Sequence, residues 1–371
     1  MTEERRELSE RNLETKELLR RFLARLELEL RRIIPQVIAI LLAFLAGAIV
    51  LLVTGYSPLE AYGALVIGAF GDVFGIGQTF TQATPIIFTA LAFLFAFKSG
   101  LFNIGAEGQL LVGGFAAALV GISFDGLPPF VHAPMALLAG ALAGGLWGFI
   151  PAILKAKLGA HEVITTMMLS YVAFYVTGYL VNYPYKAPGW VSQTPPIAPS
   201  AELPRILQPT QLSASILIAV ILVGLTHYTL QKTTFGYEVR ATGLNPAAAE
   251  SGGISIKRGM ILALVISGAM AGLGGAGEVM GVHRRFIEGF SPGYGWDGLA
   301  VALVGGLNPV GVLLAAVLFG ALRSGGMTMT RVTGVPLDIV SILQALVILF
   351  VAAPMLIRYL LKRGGFKWWG S

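Results

Sequence analysis

The side chains best suited to chemistry in this chain are a carboxylate and two amides at the start of an apolar segment. Residues 102–110 read FNIGAEGQL and contain Asn103, Glu107 and Gln109. An ionisable group within an apolar membrane segment is costly, so it marks a functional site by default. A simpler role is equally open, because the helix dipole stabilises a carboxylate in the first helical turn. The two roles are compatible, and Glu107 is a candidate for both.

A second acidic motif repeats the pattern of the first. Residues 295–298 read GWDG and precede an apolar, glycine-rich stretch, as residues 105–108 (GAEG) do. Each motif follows a long apolar run, and the topology inferred below orients these two runs in opposite directions. Inverted repeats of this kind place a binding site where the repeats meet. The pattern predicts such a repeat and adds Asp297 to the candidates, although the match covers few residues and chance similarity stays open.

Aromatic side chains near polar groups form a third set of candidates. Stacking on a base or sugar ring contributes about 1–3 kcal/mol per ring. For any single residue, a position facing lipid or at the membrane interface is the favoured alternative. Amides and a carboxylate suit a neutral ligand with many hydroxyl groups better than an anion. The aromatic candidates are Phe102, Trp147, Tyr171, Phe174, Tyr175 and Trp296, and the polar ones are Asn103, Glu107, Gln109, Asn182, Asp297 and Asn308.

A polar stretch between two apolar runs suggests a surface for another protein. Residues 240–254 read RATGLNPAAAESGGI. Asn245 is a typical helix cap, and Pro246 suits the first helical position. The paired glycines 252 and 253 would end this short helix. It is predicted to serve as a docking element, and the alternative is an amphipathic connector that rests on lipid headgroups.

Signatures of catalysis are absent from the sequence. It contains no cysteine, no Gly-Lys pair that a phosphate-binding loop requires, and no Gly-x-Ser-x-Gly or His-Glu-x-x-His motif. The four histidines lie in separate segments without metal-ligand spacing: His132, His161, His227 and His283. We therefore expect no enzymatic activity, no cofactor and no metal site in this chain.

Composition determines the class of elements that must position these residues. Of the 371 residues, 55% are hydrophobic and only 12% are charged, against about 25% charged residues in a soluble domain. This excludes the water-soluble class, because such a chain would expose too much apolar surface. An all-α polytopic membrane protein is predicted, since a helix satisfies its backbone hydrogen bonds within its own segment. The Gly/Ala-rich stretch 259–277 indicates close packing of helices.

Hydrophobic runs predict about 8–10 transmembrane helices, with broken or re-entrant segments among them. Two apolar stretches differ from full spans: residues 58–70 are short, and 296–324 is interrupted by Asn308-Pro309. A proline inside a membrane helix usually marks a half-helix or a kink. Runs of about 20 residues or more, long enough to span, are expected at 34–54, 79–97, 101–122, 130–154, 162–182, 212–230, 259–282 and 338–357.

The basic residues orient the chain. The formal net charge is +6, and nine basic residues are interleaved with eight glutamates in residues 1–33. Most others follow apolar runs, the distribution of cytoplasmic loops rather than of a nucleic-acid-binding protein. Both termini are therefore expected in the cytoplasm, although this topology leaves Arg284, Arg285, Arg323 and Arg331 outside. The predicted organisation is a cytoplasmic amphipathic helix at 1–33, a transmembrane domain at 34–360 with a cytoplasmic loop at 231–258, and a cytoplasmic tail at 361–371.

Four ordered stretches resemble the permease subunits of ATP-binding-cassette (ABC) importers, in the branch that carries ribose-type sugars and nucleosides. They read FNIGAEGQLLVGG (102–114), HEVITTMMLSYVA (161–173), RATGLNPAAAESGGI (240–254) and GWDGLAVALVGGLNPVG (295–311). Within that branch the chain is similar to the larger subunit of general nucleoside or guanosine permeases. The resemblance implies an inner-membrane, multi-pass permease that forms the translocation pathway for nucleosides or related sugars.

The resemblance also implies partners and roles for residues. A second permease, expected to be a paralogue, would complete the pathway within the lipid membrane. A cytoplasmic ABC ATPase would hydrolyse ATP, and an extracytoplasmic lipoprotein would deliver substrate. The pathway between the permeases makes Asn103, Glu107 and Gln109, and more weakly Asp297, the expected lining residues. The ATPase-coupling residues would be Gly243, Asn245, Ala248, Glu250 and Gly253, although the stretch departs from the glutamate-alanine-alanine pattern of other importer branches.

A transporter of another class is the alternative. An ion-coupled secondary transporter of a small polar solute also has inverted repeats, broken helices and a buried acid. It would need neither a docking helix nor an ATPase, so the cytoplasmic face distinguishes the two hypotheses.

Overall fold

The computed structural model describes residues 36–124 and 126–352 of the chain. The predicted N-terminal helix at 1–33 and the tail at 361–371 lie outside these residues. The described residues belong to two compact units, each considered by itself: residues 55–340, and residues 36–54 with 341–352. The candidate site residues all belong to the first unit.

The described part of the chain is helical throughout, and its only β pairing consists of isolated bridges. A single π-helical turn, Val279–His283, extends α10. The helices are α1 Gln36–Val53, α2 Pro58–Phe70, α3 Val73–Lys98, α4 Ala106–Ser123, α5 Pro129–Leu158, α6 Glu162–Asn182, α7 Ser215–Lys232, α8 Thr234–Leu244, α9 Pro246–Ser251, α10 Ile256–Glu278, α11 Tyr294–Val304, α12 Pro309–Thr333 and α13 Leu337–Ala352.

Eight helices within the described ranges are long and apolar enough to cross a membrane. This confirms the all-α polytopic class. The long helices are α1, α3, α4, α5, α6, α7, α10 with its π-helical turn, and α12. The chain is a multi-pass membrane protein.

The apolar stretch 296–324 differs in detail from its prediction as one broken element. It covers all but the first two residues of the short helix α11, and the first part of α12, which continues to Thr333 and is itself long enough to span. The break lies at Leu307, whose φ of 54° lies in the left-handed region. Asn308 then caps α12 by accepting a hydrogen bond from the N–H of Val310. The sequence pattern identified the break, but it did not show that the helix after it is full length.

Close packing of helices centres on the glycine-rich helix α10. A Cβ added to Gly268 would overlap the carbonyl oxygen of Gly144, and one added to Gly272 would overlap that of Gly140. A Cβ on Gly113 of α4 would overlap the Cα of Gly272. Small residues let membrane helices approach until their backbones touch. The predicted packing role of this glycine-rich stretch is confirmed.

Helix pairing in the larger unit is reciprocal. The helices α3, α4 and α5 form one consecutive set, and α10, α11 and α12 form another. The first helix of each set packs against the second and third helices of the other: α3 contacts α11 and α12, and α10 contacts α4 and α5. The two first helices also contact each other. This exchange is the arrangement that a twofold internal repeat requires, and it supports the repeat predicted from the two acidic motifs.

Candidate functional site

The two acidic motifs meet in the structure. Glu107 lies in the first turn of α4, and its Oε2 accepts a hydrogen bond from the backbone N–H of Gly295 in the first turn of α11, at 2.6 Å. A Cβ added to Gly295 would overlap the backbone nitrogen and Cα of Glu107. Because only glycine permits so close an approach, the first glycine of the GWDG motif allows the contact with the GAEG motif.

The start of α4 is held inside the helix bundle by hydroxyl groups of α6. Thr166 Oγ1 accepts a hydrogen bond from the N–H of Ile104 at 3.2 Å, and Ser170 Oγ accepts one from Gly108 at 3.3 Å. The first N–H groups of a helix have no intrahelical acceptor and need partners elsewhere. Ser170 supplies such a partner for Gly108 in the first turn of α4, and Thr166 holds Ile104 just before the helix begins. Sequence reasoning did not single out Thr166 or Ser170, although both fall in the HEVITTMMLS stretch.

Asp297 is paired with an arginine from α12. Arg323 Nη2 lies 2.6 Å from Asp297 Oδ2 and also donates a hydrogen bond to the carbonyl oxygen of Pro292 at 3.3 Å. The guanidinium carbon lies 5.3 Å from the centre of the Tyr294 ring. An arginine within an apolar helix needs such partners, and this signal was available in the sequence. Within the described ranges, no ion pair involves Glu107.

Glu107 lines a cavity of about 370 Å³. Ligand pockets typically enclose about 300–1,000 Å³ and combine apolar walls with a few convergent polar groups. The other lining residues are Leu111, Ser170, Tyr171, Phe174, Tyr175, Gly289, Ser291, Gly293 and Trp296. Four of the predicted stacking residues are therefore brought together beside the carboxylate, and this cavity is the candidate substrate site.

The remaining two aromatic candidates have other contacts. Phe102 packs edge-on against Phe93, with ring centres 5.0 Å apart, and against Phe97 at 5.5 Å. Trp147 donates its indole N–H to the carbonyl oxygen of Leu169 at 3.1 Å. Neither lines the cavity.

Asn103 and Gln109 form a buried amide pair. Asn103 Nδ2 donates to Gln109 Oε1 at 2.8 Å, and Gln109 Nε2 donates back to Asn103 Oδ1 at 3.3 Å. Asn103 also donates to Ser267 Oγ, which itself donates to the carbonyl oxygen of Ala92. The network ties α4 to α10 and α3. Both amides are buried and neither lines the described cavity, so their role as lining residues of the pathway stays a prediction.

The candidate coupling residues lie on and around the short helix α9. Asn245 Oδ1 accepts a hydrogen bond from the N–H of Ala248, and Pro246 occupies the first helical position, as the sequence predicts. Ala248 and Glu250 are exposed, and Gly253 ends the segment with a φ of 84°. The result is an exposed surface of mostly small side chains.

Gly243 has a different position from the other coupling candidates. A Cβ there would overlap the carbonyl oxygen of Lys98 and approach the N–H of Gly100. Gly243 therefore allows close contact between α8 and the turn after α3. It is less exposed than Ala248 and Glu250.

Among the described residues, no group of three or more His, Asp or Glu side chains is arranged to hold a metal ion. The acidic site consists of Glu107, with its backbone partner, and of Asp297, with its arginine. The Glu107 carboxylate can accept hydrogen bonds from hydroxyl or amine groups of a ligand, and the described cavity supplies aromatic surfaces around it, whereas Asp297 does not line this cavity.

Comparison with known proteins shows one family. Residues 75–352 match the family described as the permease component of branched-chain amino acid transport systems. The guanosine ABC transporter permease protein NupP of Bacillus subtilis is 43% identical over 340 residues, which cover 90% of this chain and 97% of NupP. The nucleoside ABC transporter permease protein NupB of Lactococcus lactis is 38% identical, covering 90% of this chain and 94% of NupB.

Two further relatives extend the comparison. The glucose ABC transporter permease protein TsgB13 of Haloferax volcanii is 36% identical, covering 88% of this chain and 90% of the relative. A second Bacillus subtilis guanosine ABC transporter permease protein, NupQ, is 31% identical, covering 67% of this chain and 80% of NupQ. No solved structure matches the chain.

Proposed function

Because the chain belongs to the family of permease components of ABC-type transport systems that the comparisons identify, we propose that it forms half of a translocation pathway for nucleosides. The observation that carries this proposal is the cavity of about 370 Å³ in which Glu107 faces Tyr171, Phe174, Tyr175 and Trp296. A nucleoside has a flat base that stacks on aromatic rings and a ribose whose hydroxyl groups donate to a carboxylate.

The chemistry of the cavity favours a nucleoside over the other solutes that the comparisons suggest. A branched-chain amino acid carries a carboxylate, and the residues that line this cavity include no lysine, arginine or histidine to pair with it. Glucose supplies hydroxyl groups but no planar base for so many aromatic rings. Two of the relatives, NupP and NupB, are named for guanosine and nucleosides, which supports the same substrate class.

A second permease is proposed to close the pathway. Bacillus subtilis has two related proteins, NupP and NupQ, that are both named guanosine ABC transporter permeases. This supports a heterodimer of this chain with a smaller paralogue. We place Glu107 on the pathway, with Asn103 and Gln109 beneath it and Asp297 held beside it by Arg323.

The α8–α9 segment is proposed as the docking surface for a separate cytoplasmic ABC ATPase. Exposed Asn245, Ala248 and Glu250 would contact the ATPase, whereas Gly243 and Gly253 would set the shape of the segment. In this orientation both termini are cytoplasmic, the chain lies in the plasma membrane, and an extracytoplasmic lipoprotein delivers the substrate. ATP hydrolysis takes place in the partner, and this chain performs no catalysis.

Purification of the tagged chain from its native membrane tests the proposal. We expect an ABC ATPase and a second polytopic permease in stoichiometric amounts by mass spectrometry. Proteoliposomes containing the complex and its binding protein should take up tritiated guanosine or uridine when ATP is enclosed with the ATPase. A chain that arrives alone and transports under a proton or sodium gradient without ATP would instead be an ion-coupled secondary transporter.

A further inference from the structure

A row of tyrosines follows one face of α6 from the Glu107 cavity to the end of the helix. Tyr171, Tyr175, Tyr179 and Tyr183 are spaced four residues apart, and residues at this spacing lie above one another on a helix. Each of these four residues is between 49% and 71% exposed. The rings of Tyr179 and Tyr183 are 5.0 Å apart and tilted by 33°. The row therefore presents successive aromatic faces along about three helical turns.

The tyrosines line two adjoining cavities. The first is the cavity of Glu107, and the second has a volume of about 440 Å³. Phe174 and Tyr175 line both, so the two cavities are neighbours that share part of the α6 wall. The second cavity is completed by Gly178, Tyr179, Asn182, Tyr183, Lys186 and Glu288. We call the two cavities together the tyrosine groove.

A second carboxylate is built into the far half of the groove. Glu288 Oε2 accepts a hydrogen bond from Asn182 Nδ2 at 2.7 Å, and Asn182 Oδ1 accepts one from Ser192 Oγ at 2.6 Å. The backbone N–H of Glu288 donates to the carbonyl oxygen of Ser192 at 2.9 Å. A Cβ on Gly178 would lie only 2.9 Å from Glu288 Oε1. The helix thus leaves a gap at Gly178 into which this carboxylate fits, between the rings of the row.

The groove has the chemistry of a path for a nucleoside. A row of phenol groups directed at lipid would leave polar hydroxyls without partners in hydrocarbon, and a carboxylate there would be more costly still. In a wetted groove, the same rings offer sequential stacking surfaces, which tolerate any base because every base has a flat aromatic face. Glu107 and Glu288, one in each cavity, offer acceptors for ribose hydroxyls.

We propose that the tyrosine groove is the track along which a nucleoside moves through this subunit, its base passing from Tyr183 and Tyr179 to Tyr175 and Tyr171. Glu288 and Glu107 hold the ribose at two successive positions along the track. This inference rests on the proposed function, since it assigns the substrate's path within the same permease. It makes α6 the helix that faces the second subunit across the pathway.

Substitutions at Tyr175, which lines both cavities, test the proposal in the intact importer. Initial uptake of tritiated guanosine and uridine is measured in proteoliposomes at saturating binding protein and ATP. Tyr175→Leu keeps an apolar side chain of comparable bulk but removes the flat ring, and it should lower the uptake rate by about fivefold or more. Tyr175→Phe and Tyr175→Trp keep a ring and should stay within about twofold of the wild type.

The matched control is Tyr228→Leu. Tyr228 lies on α7, is similarly exposed at 61%, and does not line the groove. The Tyr228→Leu variant should leave nucleoside uptake unchanged. Recovery of the second permease and the ATPase with each variant separates a loss of transport from a loss of assembly.

Three results would overturn the track. Equal uptake by Tyr175→Leu and Tyr175→Phe would mean that the ring faces lipid or is merely apolar. Loss of the second permease from Tyr175→Leu would mean that the groove is a packing surface between the subunits. If the wild-type complex takes up neither nucleoside, both the proposed function and the track are wrong. If the wild type and the Tyr175→Leu variant both take up nucleosides normally, the track is wrong and the proposed function stands.

Discussion

The carboxylate of Glu107 accepts a hydrogen bond from the backbone N–H of Gly295, 2.6 Å away, and so joins the first turn of α4 to the first turn of α11. The two residues belong to the two halves of the predicted repeat. Their contact brings the two acidic sequence motifs together in one site. Because the carboxylate also lines the cavity, a ligand that competes for it would act on both half-sites at once.

Removal of the Glu107 carboxylate should reduce transport. Hydrogen bonds to a charged group contribute about 1.5–3 kcal/mol, so Glu107→Ala should lower the initial guanosine uptake rate by about tenfold or more. Glu107→Gln keeps an acceptor for the Gly295 N–H and should preserve assembly, which is measured by recovery of the ATPase. Wild-type uptake by Glu107→Ala would leave Glu107 with the role of a helix cap alone.

A methyl group at Gly295 should force α4 and α11 apart. Its Cβ would overlap the Glu107 backbone, which cannot rotate away as a flexible side chain would. Overpacking of this kind costs about 1–3 kcal/mol, so Gly295→Ala should lower the melting temperature of the purified complex. Gly224→Ala is the control, because Gly224 is a helical glycine of α7 with nothing within 4 Å of an added Cβ. Equal melting temperatures for the two variants would show that α4 and α11 accommodate the added methyl group without strain.

The ion pair between Asp297 and Arg323 should be coupled energetically. Each side chain is less than 20% exposed, and removal of one partner leaves the other charge desolvated and unpaired. Asp297→Asn and Arg323→Gln should each destabilise the complex, and the double variant should be less destabilised than the sum of the two. A coupling of about 0.5–3 kcal/mol is expected from thermal unfolding in detergent. Strict additivity would mean that the two charges do not stabilise each other.

Charge reversal on α9 should release the ATPase. Glu250 is exposed on the α8–α9 surface, and a like-charge or mismatched contact at an interface costs several kcal/mol. Glu250→Arg should therefore reduce ATPase recovery by about tenfold or more, while the second permease is still recovered. Glu60→Arg, at an exposed acidic residue of α2, should retain the ATPase. Undiminished recovery and transport by Glu250→Arg would remove Glu250 from the docking surface.

Several features of the site could be predicted from local patterns. The Asn245-Pro246 pair predicted the start of α9, and Asn308-Pro309 predicted the break before α12, because capping depends on side chains only two or three residues away. The glycine-rich stretch predicted the close packing of α10. The acidic motifs predicted which carboxylates to test, because charge within an apolar run is unusual whatever it contacts.

The sequence by itself determined the class of this protein, the start of α9, the break before α12 and the family resemblance, since all of these follow from composition and from neighbouring residues. Only the tertiary structure decided that Glu107 meets Gly295, that Arg323 pairs with Asp297, and that Glu288 fills the gap at Gly178. Each pair joins separate helices or loops, and hydrophobic periodicity carries no record of which distant residues share a contact. The cavity beside Glu107 depends on such contacts, because its lining residues come from α4, α6, α11 and the loop before α11.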